Sequence, residues 1–323
     1  MIKVSILVVT YNQEKYIDVC LKSLVTQQTD FEYEIVVGDD ASNDGTANVV
    51  QKYAHEYPNK IVAVLRHQNL GATKNSYDLW KRARGKYIAF CDGDDCWIGE
   101  TRLQRQADFL DSHQEYSAVC GKSHLIDETG TKLPETAIPA KQIFWKFDKP
   151  IFTKEDFANW RMPAHDSAIL ARNPFPEEDG TLLYRAHSVV GDRTFILFFL
   201  LHGDIACTEN VVSCYRYILK DSHFMTDYET ENKRHQDFLM MRQLERYAHS
   251  KGWPLSLLKI KQERLIAAVC IWLQTPTYQN GMVLKNIIHD SESPLRYGFW
   301  SLQVLARKWW QLNVLKRDTP IQL

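Results

Sequence analysis

Long hydrophobic runs are missing from this 323-residue chain. No stretch approaches the ~20 consecutive apolar residues that cross a bilayer, so a spanning helix is not expected. An excess of one charge is missing too. Lys+Arg total 39 and Asp+Glu 40, for a net charge of −1. Without a basic field, nucleic acid is excluded as a general partner. The seven cysteines (Cys20, Cys91, Cys96, Cys120, Cys207, Cys214 and Cys270) contain no CxxC, which argues against a zinc site built on paired cysteines. Odd in number and dispersed, they fit reduced thiols that pack as small hydrophobes. The eleven histidines form no HExxH. No GxGxxG follows the first strand pattern and no GxxxxGK[ST] occurs, so a dinucleotide fingerprint and a P-loop are both absent. The N-terminal Met-Ile-Lys-Val-Ser lacks the h-region and cleavage site of a signal peptide, and a cytoplasmic location is the expectation. What is present is globular: 45% hydrophobic and 24% charged residues, in a length that suits about two domains.

The first half alternates strand and helix. Lys3–Thr10 is β-branched and nearly continuous in apolar character, as in a buried parallel strand. Tyr33–Gly38, Ile61–Leu65 and Tyr87–Cys91 read as further strands. Between them, Glu14–Gln27, Thr46–Tyr57 and Gly71–Ala83 carry helical spacing, and Leu103, Gln106, Ala107 and Leu110 mark another helix. This rhythm predicts an α/β domain with a Rossmann-like, mostly parallel sheet and helices on both faces.

In such sheets ligands bind at the carboxyl ends of the strands. Those ends carry Thr10-Tyr11-Asn12, Asp39-Asp40 and Asp92-Gly93-Asp94-Asp95, and the loop after the third strand holds Asn69, Gly71 and Lys74. A carboxylate cluster is costly unless a cation neutralises it. Hard divalent cations take carboxylate oxygens and leave open positions for phosphate. A metal-bound nucleoside diphosphate is therefore the expected ligand. The plain alternatives are an acidic turn at Asp92–Asp95 and, for Asp44-Gly45, a turn in which Asp44 caps the next helix.

The stretches Val4–Asn12 (VSILVVTYN), Glu34–Thr46 (EIVVGDDASNDGT), Asn69–Asn75 (NLGATKN) and Gly85–Asp95 (GKYIAFCDGDD) together resemble the nucleotide-binding half, residues 1 to about 125, of a family 2 glycosyltransferase with the GT-A fold. The resemblance implies inverting transfer of a sugar from a nucleotide-sugar donor. It implies that Thr10, Tyr11 and Asn12 line the base and ribose pocket and that Asp39 meets the pyrimidine edge. Lys74 stands near the diphosphate or base, where the family often has Arg. Asp92 reaches the ribose and Asp94 the divalent cation, Mn²⁺ or Mg²⁺, with Asp95 beside them. Glu14, Asp40 and Gly93 complete the expected donor-binding set. A carboxylate after the second strand suits the imide N–H of uracil or thymine, so UDP-sugars are favoured and dTDP-sugars remain open.

Residues 126–225 match the family more loosely and should hold the acceptor side. An inverting transfer needs a general base on the acceptor hydroxyl. The family places it on an Asp about a hundred residues beyond the acidic turn, which points to Asp192 here. Asp166 and Asp179 are the runners-up, and a helix N-cap is the structural alternative for Asp192. His165 could touch acceptor or diphosphate, or be a satisfied loop histidine. Ser213–His223 resembles a late loop of the family that folds over the diphosphate. Arg216, Lys220 and His223 are then candidates for phosphate contact, His223 also for the metal; a strand end with solvated basic residues is the alternative. Thr153-Lys-Glu-Asp156 reads as a structural capping box.

Residues 226–323 read as a helical C-terminal region without a catalytic pattern. Its last segment, Leu295–Arg317, has no acidic residue and carries Arg296, Arg307, Lys308, Lys316 and Arg317 with Trp300, Trp309 and Trp310. That composition suits peripheral contact with anionic lipid or a buried helix with a basic edge. No QxxRW occurs, so the expectation is addition of one sugar to a saccharide or polyprenyl-linked acceptor, as in O-antigen, capsule or lipooligosaccharide synthesis. A catalytically inactive nucleotide-binding scaffold of the same fold is the alternative.

Overall fold

The computed structural model describes residues 1–137, 147–174, 191–218, 231–274, 276–291 and 293–313, without the side chains of 135, 231–234 and 308–313. Asp179, Lys220 and His223 lie outside the described residues. The chain divides into two compact units, Met1–Leu219 and Lys220–Leu323. The sequence reading puts the change at residue 226. Both points fall in the stretch 219–230, which is not described.

In the first unit, the described residues form one nine-stranded sheet. Strands β1 (Val4–Thr10), β2 (Tyr33–Asp39), β3 (Ile61–Leu65) and β4 (Tyr87–Asp92) lie parallel in the order β3-β2-β1-β4. Helices α1 (Ile17–Val25), α2 (Thr46–Glu56) and α3 (Ala72–Arg82) connect them. There follow β5 (Cys96–Trp97), α4 (Arg102–Ser112), β6 (Tyr116–Ile126), β7 (Ile151–Phe152), α5 (Lys154–Ala158), β8 (Ile169–Arg172), α6 (Asp192–His202) and β9 (Asp204–Arg216). The sheet continues β8-β6-β9-β5 beyond β4, with β7 on β9. Pairing there is mixed, because β8 runs antiparallel to both β4 and β6. The register sets Thr10 opposite Asp39 and Val9 opposite Asp92. Three strand ends thus reach one edge together.

Period-two alternation divides the sheet between two layers. Val4, Ile6, Val8, Ile35 and Val37 pack with Ile17, Leu21 and Leu24 of α1, Val50 of α2 and Leu103 of α4 in one core. Phe90 points the other way, and its ring centroid lies 4.5 Å from that of Phe195 on α6. Trp80 of α3 joins this second layer, 5.4 Å from Phe195 and 5.2 Å from Phe198. The Phe195–Leu201 run is therefore the root of α6 under the sheet. Gly203 ends that helix at φ +153°, where an added Cβ would meet the Glu115 carbonyl oxygen at 2.8 Å. The capping box is present: Thr153 accepts from the Asp156 N–H, and Asp156 accepts from the Thr153 N–H.

The cysteines are dispersed in sequence but not in space. Cys20 and Cys91 place their sulfurs 3.7 Å apart, and Cys120 and Cys207 3.4 Å apart. Cys96 sits opposite Cys214 across β5 and β9, within hydrogen-bond reach. All seven are free thiols.

The second unit is built from α7 (Glu231–Ser250), α8 (Leu258–Gln274), α9 (Tyr278–His289) and α10 (Pro294–Asn313). Phe238, Met241 and Leu244 are buried along one face of α7, and Tyr247, a turn further on, is half-buried. Phe238 shares a core with Leu265, Ala268, Val283, Ile287 and Tyr297. Glu245 accepts from the Leu257 N–H and from Lys261 Nζ, each at 2.6 Å, which ties α7 to the start of α8. Among the described residues, no helix is long and apolar enough to cross a membrane.

Trp80 is fully buried, and its Nε1 donates to Asn173 Oδ1 at 2.9 Å. Trp80→Ala should lower the unfolding free energy by about 3–5 kcal/mol. Urea unfolding would show this as a lower midpoint at unchanged slope.

Candidate functional site

The site is assembled from the turns that leave β1, β2 and β4. Thr10 is buried and donates to Gln13 Oε1 at 2.8 Å. Tyr11 is half-buried and Asn12 exposed, with Asn12 in the left-handed region at φ 54°. Asn12 clasps the β2 turn. Its N–H donates to Ser42 Oγ at 2.9 Å, and its Oδ1 accepts from the Asn43 N–H at 2.8 Å. Asp39 is buried and accepts from Ser42, at 2.5 Å from the hydroxyl and 3.2 Å from the N–H. Gly45 takes the N-cap position of α2, and Asp44 just before it accepts from the Thr46 N–H and hydroxyl and from the Glu14 N–H.

Two expected donor-site residues are hydrogen-bonded to loops. Asp40 accepts from the Leu70 and Gly71 N–H groups, at 2.9 and 2.8 Å, and so pins the loop after β3. Glu14 accepts from the Gly45 N–H at 2.9 Å. Lys74 stands exposed on the first turn of α3.

β4 ends at Asp92, and Gly93-Asp94-Asp95 turns into β5. Gly93 is needed there, because a Cβ would lie 2.6 Å from Thr10 Oγ1. Asp95 is buried and fully engaged. Its Oδ1 accepts from the Arg216 N–H at 3.0 Å and its Oδ2 from the Ser167 hydroxyl at 2.5 Å. Arg216 is buried at the end of β9, not in a loop. It donates through Nε to the Asp94 carbonyl at 2.8 Å and through Nη1 to the Asp127 carbonyl at 2.7 Å. Its guanidinium also lies 4.6 Å from the centre of the Tyr16 ring. By contrast, the carboxylates of Asp92, Asp94 and Asp192 make no hydrogen bond to another residue among those described.

His165 and Asp166 lead into β8. His165 Nδ1 accepts from the Ser167 N–H at 3.3 Å, 3.0 Å from Asp166 Oδ1 and 3.5 Å from Asp95 Oδ2. Its ring lies 4.4 Å from that of Tyr215. One ligand atom from each of Asp92, Asp95 and His165 falls within 4.8 Å of the others. The sequence expectation names Asp94 and His223 as metal ligands. Asp94 is outside that trio, and His223 is outside the described residues. Asp192 is the first residue of α6, and Gly191 takes the N-cap position. The N-cap alternative for Asp192 is therefore not what the chain adopts.

The electrostatics mark one acidic cluster. Burial pushes the Asp92 and Asp95 carboxyls well above the usual range, helped by Asp166 for Asp92 and by Asp94 for Asp95. Asp94 is raised by burial, and His165 and Arg216 partly offset this. Asp192 is pushed up to about 7 by burial and then by Asp166. Carboxylates that resist ionising together in this way are neutralised by a cation. The donor set, carboxylate oxygens with one imidazole, fits a hard divalent ion such as Mn²⁺ or Mg²⁺. Each Asp95 oxygen takes one protein hydrogen bond and keeps a lone pair for a further partner. Ser42, Ser167 and Tyr215 carry no motif of their own and escape sequence reasoning.

A sheet with its acidic turns gathered at one edge, helices in its crossovers and a helical region beyond is the build of a GT-A glycosyltransferase. Residues 1–349 of Staphylococcus aureus TarS, crystallised in complex with UDP-GlcNAc, superpose with a TM-score of 0.61 at 21% identity, over 90% of this chain and 80% of that one. At that identity the match speaks for the fold alone. The sequence profile described as Glycosyl transferase family 2 matches residues 5–177, so the chain belongs to that family. An uncharacterized protein of Mycobacterium tuberculosis is 31% identical over 221 residues, 66% of this chain and 58% of that one. The chain thus spans somewhat over half that relative's length. Poly(ribitol-phosphate) beta-N-acetylglucosaminyltransferase TarS of S. aureus is 40% identical over 116 residues, 35% of this chain and 20% of that one.

Two outcomes follow. Gly93→Ala should cost about 1–3 kcal/mol of stability by overpacking against Thr10, read by chemical denaturation. The second concerns pH. A carboxyl held protonated in the folded chain, but ionised when unfolded, binds more protons folded. Stability then falls as pH rises between the two pKa values. For Asp192 that window runs from about 4, its unfolded value, to about 7. The melting midpoint in EDTA should drop across it, and Asp192→Asn should flatten the drop.

Proposed function

We propose that the chain transfers one sugar from a UDP-sugar, or a dTDP-sugar, to a hydroxyl of a saccharide or lipid-linked acceptor, with inversion at the anomeric carbon. The observation that carries this proposal is the division of the acidic residues. Asp39, Asp40 and Asp95 are held by protein donors, whereas Asp92, Asp94 and Asp192 face the site without such partners.

Asp39 keeps lone pairs beyond those that Ser42 uses, enough to accept a pyrimidine imide N–H. Thr10, Tyr11 and Asn12 flank it on the neighbouring strand end, where base and ribose would lie. Asp92, Asp95 and His165, whose ligand atoms fall within 4.8 Å of one another, would hold a divalent cation, with Asp94 beside them in the turn. When bound, that cation neutralises charge developing on the leaving diphosphate. Arg216 supports the turn through the Asp94 carbonyl and adds a positive charge behind it. Asp192 is the general base. A carboxyl with pKa near 7 is matched to removing a hydroxyl proton near neutral pH. The acceptor oxygen bonds to the anomeric carbon as Asp192 takes its proton. The bond to the nucleoside diphosphate breaks on the opposite face, and the electron pair leaves with the diphosphate. The first turn of α6 favours the ionised form that begins the step.

A relative named for glycosylating poly(ribitol phosphate) supports a surface polymer as the acceptor class. O-antigen, capsule and lipooligosaccharide are the settings proposed here, with the chain in the cytoplasm where nucleotide sugars are made.

A panel of nucleotide sugars incubated with Mn²⁺ or Mg²⁺, and with EDTA, tests the transfer. Metal-dependent release of UDP or dTDP from one donor is expected. Asp192→Asn should then cut turnover about 10²–10⁴-fold while donor binding persists. A rate within a few-fold of wild type would remove Asp192 from the base role.

A further inference from the structure

The C-terminal helix α10 is apolar on two sides. Its inner side is accounted for: Tyr297 and Ser301 are buried, and the Tyr297 ring meets Phe238 edge-on at 5.6 Å. Its outer side is not. Leu295, Phe299 and Leu302 recur at positions i, i+4 and i+7 and are 90%, 59% and 64% exposed. Ala306 continues the row, also exposed. A surface helix ordinarily turns charged and polar residues outward, and a second apolar stripe needs an occupant.

Charge indicates which one. From Pro294 to Asn313 there is no acidic residue, while Arg296, Arg307 and Lys308 are basic. Arg296 and Arg307 are exposed, and the Arg296 guanidinium lies 4.6 Å from the centre of the Trp300 ring. A cation beside an interfacial aromatic, flanking an exposed Leu/Phe row, matches the boundary between anionic headgroups and acyl chains. A partner protein would face the same three apolar side chains, but nothing then accounts for the one-sided charge.

We propose that the outer face of α10 is a docking surface for an anionic lipid bilayer, on which the helix lies parallel to the membrane plane. Leu295, Phe299 and Leu302 enter the acyl boundary, and Arg296 and Arg307 remain among the headgroups. This stands apart from the sugar-transfer proposal, since no residue of the acidic cluster takes part.

Co-sedimentation of the full chain with vesicles tests it. One set is phosphatidylcholine alone, the other an equal mixture with anionic phosphatidylglycerol. The expected result is binding to the mixed vesicles at least about tenfold stronger than to phosphatidylcholine, and weaker as salt rises. Leu295→Ser/Phe299→Ser/Leu302→Ser should abolish it, and Arg296→Gln/Arg307→Gln should weaken it about fivefold per charge. Circular dichroism verifies that both variants stay helical, as substitutions on an exposed face should. The proposal is overturned if the wild type stays in the supernatant, or if the triple variant sediments like wild type. It is equally overturned if analytical ultracentrifugation finds a stable dimer that the triple variant dissociates.

Discussion

Asp95 holds the acidic turn in place. One of its oxygens takes the Arg216 N–H at the end of β9, the other the Ser167 hydroxyl just before β8. Three segments far apart in sequence are fastened to one buried carboxylate. Arg216 closes the same knot by donating to the Asp94 and Asp127 carbonyls. Removing one partner would leave a buried charge or donor unsatisfied, which generally costs more than the bond itself is worth. With the turn held this way, Asp92 and Asp94 need no protein partner to define where they stand. Their carboxylates remain available to something that is not protein.

The same economy appears at the other strand ends. Asp40 is fully occupied with the loop after β3, which leaves Asp39 as the carboxylate beside Thr10 across the β1–β2 register. Asp192 is placed by packing rather than by hydrogen bonds. The α6 helix that begins with it is anchored by Phe195 and Phe198 against Phe90 and Trp80. With few polar partners and Asp166 close by, the Asp192 carboxyl has its pKa moved toward neutrality by burial and by that neighbour.

The parallel half of the sheet is legible in the sequence because β1, β2 and β4 are short apolar runs buried on both faces, and the edge strand β3 is a short β-branched run. Their ends follow from the first polar residue after each run. The mixed half is not. β6 runs through Gly121, Lys122, Ser123 and His124 with shifts of register against β9, so neither period two nor a continuous apolar run is visible. Adjacent Asp39 and Asp40 cannot be told apart by type. Their roles separate only when the Leu70 and Gly71 N–H groups arrive from 30 residues away. That Arg216 donates to the Asp94 and Asp127 carbonyls likewise shows only once β9 carries it to the turn. The cysteine pairs depend on strand neighbours that sequence spacing does not reveal.

The central proposal is that a divalent cation completes the acidic site whose turn Asp95 holds in place. Calorimetric titration of UDP into the full chain, with Mn²⁺ and then with EDTA, measures this directly. The account predicts binding in Mn²⁺ that disappears in EDTA and is lost in Asp92→Asn/Asp94→Asn. Equal affinity in EDTA, or no binding of UDP or dTDP under either condition, would contradict it.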